Sequence, residues 1–175
     1  FRFLVGARRS WIDAWFGQIL KATGNGVTTA PVYYDAQALV EGDLTQSTTA
    51  RVAFFGASDA LKIVLDSPSA NNPAPGAFNL VSSFWRVQAR FRTLLDGGRT
   101  RIDHTLSYGR EVRDLQFGTI KIGIDASPLV YRGEVRSKVS KGIYVVAGID
   151  LDYKRAKVNI VAPSPEGVSD PPTPN

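Results

Sequence analysis

The stretch "FWRVQARFRTLLDGGRTRID", residues 84–103, restricts what this chain can fold into more than any other. Trp85, Val87, Ala89 and Phe91 alternate with Arg86, Gln88, Arg90 and Arg92, and alternation resumes after a Gly-Gly pair with Arg101 and Asp103. A period of two belongs to extended strands, whose successive side chains point to opposite faces. The segment predicts a β-hairpin with one apolar and one charged face. The class of protein then depends on which face meets water.

The same period recurs along most of the chain. "FRFLVGARRSW", "YDAQALVEGDL", "TTARVAFFG", "RIDHTLSYG", "LVYRGEVRSKV" and "IYVVAGIDLDYK" all alternate, giving roughly seven strands with the opening segment. Most exceed the ~5–6 residues usual in soluble sheets. "WFGQILKA" alone has helical character and is too short to stand as a helix. The expected fold is all-β, with strands over residues 1–155 and a Pro-rich loop or truncated end, "APSPEGVSDPPTPN", within 156–175.

The links between strands are sorted. "DLTQS", "DGG" and "SKG" are tight polar turns, whereas "FGQILKATGNGVTTAP" and "DSPSANNPAPGA" are long and rich in Gly, Pro and Asn. Antiparallel up-and-down connectivity places alternate links at opposite ends of a sheet. Short turns at one end and long loops at the other are the habit of transmembrane β-barrels. No apolar run approaches the ~18 residues of a membrane-spanning helix, but a barrel strand needs only ~10 residues of alternating pattern.

Composition removes other classes. With no cysteine, thiolate metal sites are not available; with one histidine, His104, neither a histidine-based metal site nor a His-dependent triad is expected, and no cofactor is expected. Met is absent and no leader precedes "FRFLVGARRSWID", which predicts a mature chain or an internal piece of something larger. A net charge of +5 raises a polyanionic partner. In an RNA-binding sheet, however, stacking aromatics share the exposed face with the basic residues. Here they alternate, so no nucleic acid is expected. Asp150 and Asp152 share one strand face and read as a solvated ladder rather than an acid/base pair, and "GNG" and "DGG" are turns rather than phosphate loops. No enzyme is expected.

Opposite charges on neighbouring strands can complement one another, and a water-filled interior tolerates such ladders. The charged set Arg86, Arg90, Arg92, Arg101, Asp103, Arg132, Glu134, Arg136, Asp150 and Asp152 is therefore expected to face an enclosed lumen. Trp85, Val87, Phe91, Ile102, Leu106, Val135, Val145, Ile149 and Leu151 are expected to face lipid. Trp11, Trp15, Phe16, Tyr33, Tyr34, Phe84, Trp85, Tyr108 and Tyr153 gather where strands approach the long loops, as in an aromatic belt at a membrane boundary.

"FLVGARRSWID" and "PVYYDAQALVEGDLTQSTTARVAFFGASD", with "LVYRGEVRSKVSKGIYVVAGIDLDY", resemble barrel strands of TonB-dependent outer-membrane receptors. The likeness runs over most of residues 1–155 and is one of pattern. It implies an incomplete segment of an antiparallel up-and-down transmembrane β-barrel of about 22 strands, in the outer membrane of a Gram-negative bacterium. By that resemblance the partners are outer-membrane lipid, a plug domain, the TonB system and a small scarce nutrient of siderophore, vitamin or glycan type. Loops at 16–31, 66–79 and 156–175 would face outward and contact that ligand. A stand-alone small outer-membrane barrel with a structural or adhesive role is the alternative.

Overall fold

The computed structural model describes residues 1–12, 14, 31–64 and 77–162. Seven strands follow one another: β1 (Arg2–Arg9), β2 (Val32–Asp43), β3 (Thr48–Val64), β4 (Ala77–Leu95), β5 (Thr100–Phe117), β6 (Ile120–Ser140) and β7 (Ile143–Val161). They form one antiparallel sheet in the order β1-β2-β3-β4-β5-β6-β7, so each strand pairs with its sequence neighbours and β1 and β7 are the edges. The sheet is up-and-down and open.

Local chemistry sets the turns. Between β2 and β3 the Thr45 hydroxyl accepts from the amides of Ser47 (3.2 Å) and Thr48 (3.0 Å), closing the link. Between β4 and β5, Asp96, Gly97 and Gly98 all hold positive φ, which two glycines in succession make inexpensive. Gly142, at φ 80°, turns β6 into β7.

Strands β3 to β7 are 17 to 21 residues long, well beyond the expected segments. The expected bounds are corrected at three places. The strand expected at "RIDHTLSYG" continues through "REVRDLQF" as the second half of β5, and "IKIGID" opens β6 ahead of "LVYRGEVRSKV", with Gly118 and Thr119 alone between the two strands. One connection at the long-loop end is thus a tight turn, and the sorting of loops is incomplete. Residues 77–79 belong to β4, and β7 continues to Val161, past the boundary expected at 155, so these parts of the two expected loops are strand. Apart from Pro31 and Ala162, the remainder of the three loops, with Trp15 and Phe16, lies outside the described residues.

The long strands hide because their pattern changes sides. Arg86, Arg90 and Arg92 share a face with Arg101, Asp103, Arg132 and Glu134 through the β4–β5–β6 register. Farther from the tight turns, that same face carries Leu80 opposite Leu115, Leu115 opposite Ile122, and Phe117 opposite Ile120. The other face does the reverse: Leu106 and Tyr108 are followed by Arg110, and Leu129 is preceded by Ser127 and Asp125. The crossover falls at Gly109 and Pro128, a break in the β5–β6 ladder at which Pro128 still pairs with Lys154 of β7. A Cβ on Gly109 would lie 2.4 Å from the Trp85 carbonyl oxygen, so only glycine permits this approach of β5 to β4.

The sheet has almost no core. Ala126 and Pro128 are the only buried apolar side chains among the residues described, and none of their large side chains is fully buried. Val87, Phe91 and Ile149 are 39%, 42% and 53% exposed, which is the opposite of a packed cluster.

Candidate functional site

The two faces of the sheet are the candidate functional surfaces. On the apolar face, Phe3, Val40, Val52, Ala89, Leu106, Tyr131 and Leu151 form an unbroken cross-strand row over all seven strands. The next row, Val5, Ala38, Phe54, Val87, Tyr108, Leu129 and Tyr153, is also free of charge. On β7 the apolar residues Ile143, Val145, Ala147, Ile149, Leu151 and Tyr153 leave this face in succession. The ten steps from Ile143 to Tyr153, at ~3.4 Å each and inclined by ~45°, rise about 24 Å, close to the ~25 Å apolar band of a membrane barrel.

Two polar side chains within the belt satisfy each other. The Tyr131 hydroxyl and His104 Nδ1 are 2.8 Å apart and hydrogen-bond, with their rings stacked. Gly133 makes room for this, since a Cβ there would meet the Tyr131 hydroxyl at 2.8 Å. Trp85 and Tyr108 meet edge to face at 5.7 Å, and the Arg9 guanidinium lies over Trp11 and Tyr34. Of the expected aromatic belt, Trp85, Tyr108, Tyr34 and Tyr153 do lie on the apolar face toward its far end. Tyr33 and Phe84 lie on the charged face, and Phe84 packs there against Phe55.

A hollow of about 760 Å³ is open on the apolar face, floored by small residues including Ala7, Ala36, Gly56, Ser58 and Ser83 and bounded by Tyr34, Phe54, Trp85 and Arg110.

The charged face is a network. Asp103, only 8% exposed, takes hydrogen bonds from Arg90 (2.9 Å) and Arg92 (3.0 Å). Arg101 Nε stands 2.6 Å from the second Asp103 oxygen without the alignment to donate to it, and Arg101 Nη2 reaches Glu134 at 3.6 Å. One carboxylate thus holds three guanidinium groups together across two strands. Arg132 pairs with Asp150 at 2.8 Å, and Arg136 lies over the Tyr144 ring. Asp152 makes no ion pair among the described residues.

The structure puts every one of the charged residues expected at a lumen on this one face, and every residue expected at lipid on the other. It does not pair them all as the sequence suggests. Arg86 reaches Glu111 at 3.0 Å rather than the Asp103 cluster, and Glu111 also accepts from Lys154 across two strands. Arg2–Glu41 and Arg8–Asp35 extend the network to the β1 edge. Sequence reading passed over Glu111 because the strand expected at "RIDHTLSYG" stops at Gly109. The signal was present: Glu111 and Arg113 continue the period of Arg101 and Asp103.

One ion pair breaks the rule of faces. Arg110 donates twice to Asp125, at 2.9 and 2.7 Å, on the apolar side beyond the Tyr108–Leu129 row. Arg110 holds Asp125 below the ordinary carboxylate range, chiefly through this hydrogen bond and against a desolvation that acts the other way.

Among the described residues no group of His, Cys, Asp or Glu could hold a metal ion, and no helix is long and apolar enough to cross a membrane. The charged face offers electrostatic complementarity across neighbouring strands. Comparison with protein-family models, with curated proteins and with solved structures finds no match for this chain.

Proposed function

We propose that this chain is a stretch of the wall of a transmembrane β-barrel. The observation that carries the reading is the pairing of a charge-free belt across seven strands with an ion-pair network on the reverse side, in a sheet with no core. Apolar side chains left half exposed forgo the ~25 cal/mol per Å² that burial from water supplies. Lipid on that side removes the deficit, and an aqueous lumen suits the other. The change of faces fits too. Strands of 17 to 21 residues outrun the ~9–11 needed to cross. Beyond the belt the outer surface meets water again, and Arg110, Asp125, Arg155 and Lys157 stand there.

Within that class, the motifs at 3–13, 31–59 and 129–153 favour a TonB-dependent receptor of an outer membrane, which imports a scarce nutrient. On that reading the Asp103 cluster lines the interior. Leu80, Leu115, Phe117, Ile120 and Ile122 form an apolar lining of the same wall nearer its outer mouth.

The test is expression in the full coding context, followed by fractionation and labelling. Alkali-resistant retention in the outer membrane, with lipid-phase photolabelling of Leu106 and Leu151 but not of Gln88 or Ser107, is the expected result. Recovery in the soluble fraction would end the reading. Impaired uptake of iron chelates, cobalamin or glycans in a deletion strain separates the receptor from a structural barrel.

A further inference from the structure

We infer that the outer rim of the apolar face, at β5 to β7, binds the phosphate headgroup of a membrane lipid. The inference rests on the barrel-wall reading and adds a ligand to it. Its basis is a cationic hollow of about 200 Å³ lined by Arg110, Asp125, Ser127, Arg155 and Lys157. Arg155 stands opposite Ser127 and Lys157 opposite Asp125, all on the side that carries Tyr153, Leu151 and Leu129 nearer the tight turns. The hollow therefore begins where the apolar belt stops.

Charge decides the ligand. Arg110 is committed to Asp125 through two hydrogen bonds. Arg155 and Lys157 have neither a hydrogen bond nor an ion pair to any described residue, although Lys157 lies close enough to Asp125 to help hold its carboxyl down. Three cations face one carboxylate, and the Ser127 hydroxyl adds a neutral polar group. Asp114 lies one row farther out, where its neighbours across β6 and β7 are Gly123 and Asn159, and Lys121 lies beyond it. The surplus stays positive at the belt margin. Long basic side chains at that height reach headgroups while their stems lie along apolar surface. The wide hollow floored by Ala36, Gly56 and Ser83 shares Arg110 with this one, giving acyl chains near the headgroup an irregular surface to fill. A free anion would need no such apolar border, so the source favoured is a lipid.

Trp85, which bounds that hollow, supplies the probe. The protein, in its full coding context, is reconstituted in equal parts phosphatidylcholine and phosphatidylglycerol, with the bromine quencher on one lipid or the other. The wild type should be quenched several-fold more by brominated phosphatidylglycerol, since each juxtamembrane cation is worth ~1 kcal/mol toward anionic lipid. The Arg155→Gln/Lys157→Gln variant should lose the preference, and Arg51→Gln/Arg113→Gln, on the other face, should keep it. Equal quenching by both lipids overturns the inference and leaves the wall reading standing. Quenching by neither overturns both. A preference that survives in the Arg155→Gln/Lys157→Gln variant, or that millimolar inorganic phosphate abolishes, also refutes a lipid site at this place.

Discussion

Ile149 and Val146 offer a direct test of which side of the sheet is dry. They lie three residues apart on β7, leave opposite faces, and are 53% and 51% exposed. Ile149 stands near the middle of the Ile143–Tyr153 belt, opposite Gly133, whereas Val146 stands opposite Arg136 with Glu134 on the next charged-face pair. If both faces met water, Ile149→Arg and Val146→Arg would each change stability by about 0.5 kcal/mol or less. If the apolar face meets hydrocarbon, an arginine at mid-depth costs ~2–4 kcal/mol, a roughly 30- to 800-fold change in the folding equilibrium. The new arginine at 146 has Glu134 within diagonal reach to offset Arg136, so its cost stays small. With an unfolding slope of ~2 kcal/mol per M, Ile149→Arg lowers the urea midpoint by about 1–2 M. The assay is urea unfolding of protein refolded into neutral phosphatidylcholine vesicles, alongside the membrane-retained fraction in cells. Equal midpoints for the two variants, or a larger loss for Val146→Arg, would refute the orientation.

Four further outcomes follow from named contacts. Gly109→Ala sets a Cβ 2.4 Å from the Trp85 carbonyl and should cost about 1–3 kcal/mol by overpacking, read as a lowered midpoint, while Gly118→Ala, with nothing within 4 Å but a φ of 57°, tests strain without crowding. Asp103→Asn leaves Arg90, Arg92 and Arg101 crowded without their shared anion; a loss of about 1–2 kcal/mol is expected, and a double-mutant cycle with Arg92→Gln should show coupling. Arg132→Gln should lose less than ~1 kcal/mol, and less still at high salt, because that ion pair with Asp150 is 66% and 63% exposed. Tyr131→Phe removes the hydroxyl that bonds His104 Nδ1 and should cost about 1 kcal/mol, seen as a shift of the His104 ring resonances.

What could be read from the sequence was whatever keeps one period on one face. Arg86 to Arg92, Arg101 to Asp103 and Arg132 to Arg136 hold their side throughout, so strand identity, strand order and the division into two faces follow from alternation and tight turns. What could not be read lay beyond Gly109 and Pro128. There the aliphatic residues cross to the other face, and a reader who follows one hydrophobic set sees a strand end and a link begin. Pro128 strengthens the error, since proline is expected at edges, yet here it sits in β6 between two paired strands. Partner choice within the charged face was equally hidden. Arg86 turns to Glu111 because register places Glu111 opposite Phe84, one pair along, which only the full length of β5 reveals.

The absence of a core bears on what must lie around this sheet. Backbone ladders satisfy the inner strands, but β1 and β7 each present one unpaired edge, and β7 presents nineteen residues of it. In hydrocarbon, each unpaired amide or carbonyl costs several kcal/mol, so an open edge of that length cannot remain against lipid. The belt on β7, Ile143 to Tyr153, includes that edge. A wall that holds its apolar face in lipid therefore also needs strand partners beside β1 and β7, whether further strands or a second copy, and the two requirements stand or fall together. Pairing alone, with both faces in water, would leave Leu106, Leu129, Ile149 and Leu151 all more than 40% exposed. Lipid alone would leave the β7 backbone unsatisfied. Closure in a bilayer meets both demands with the ladder register already present in these seven strands.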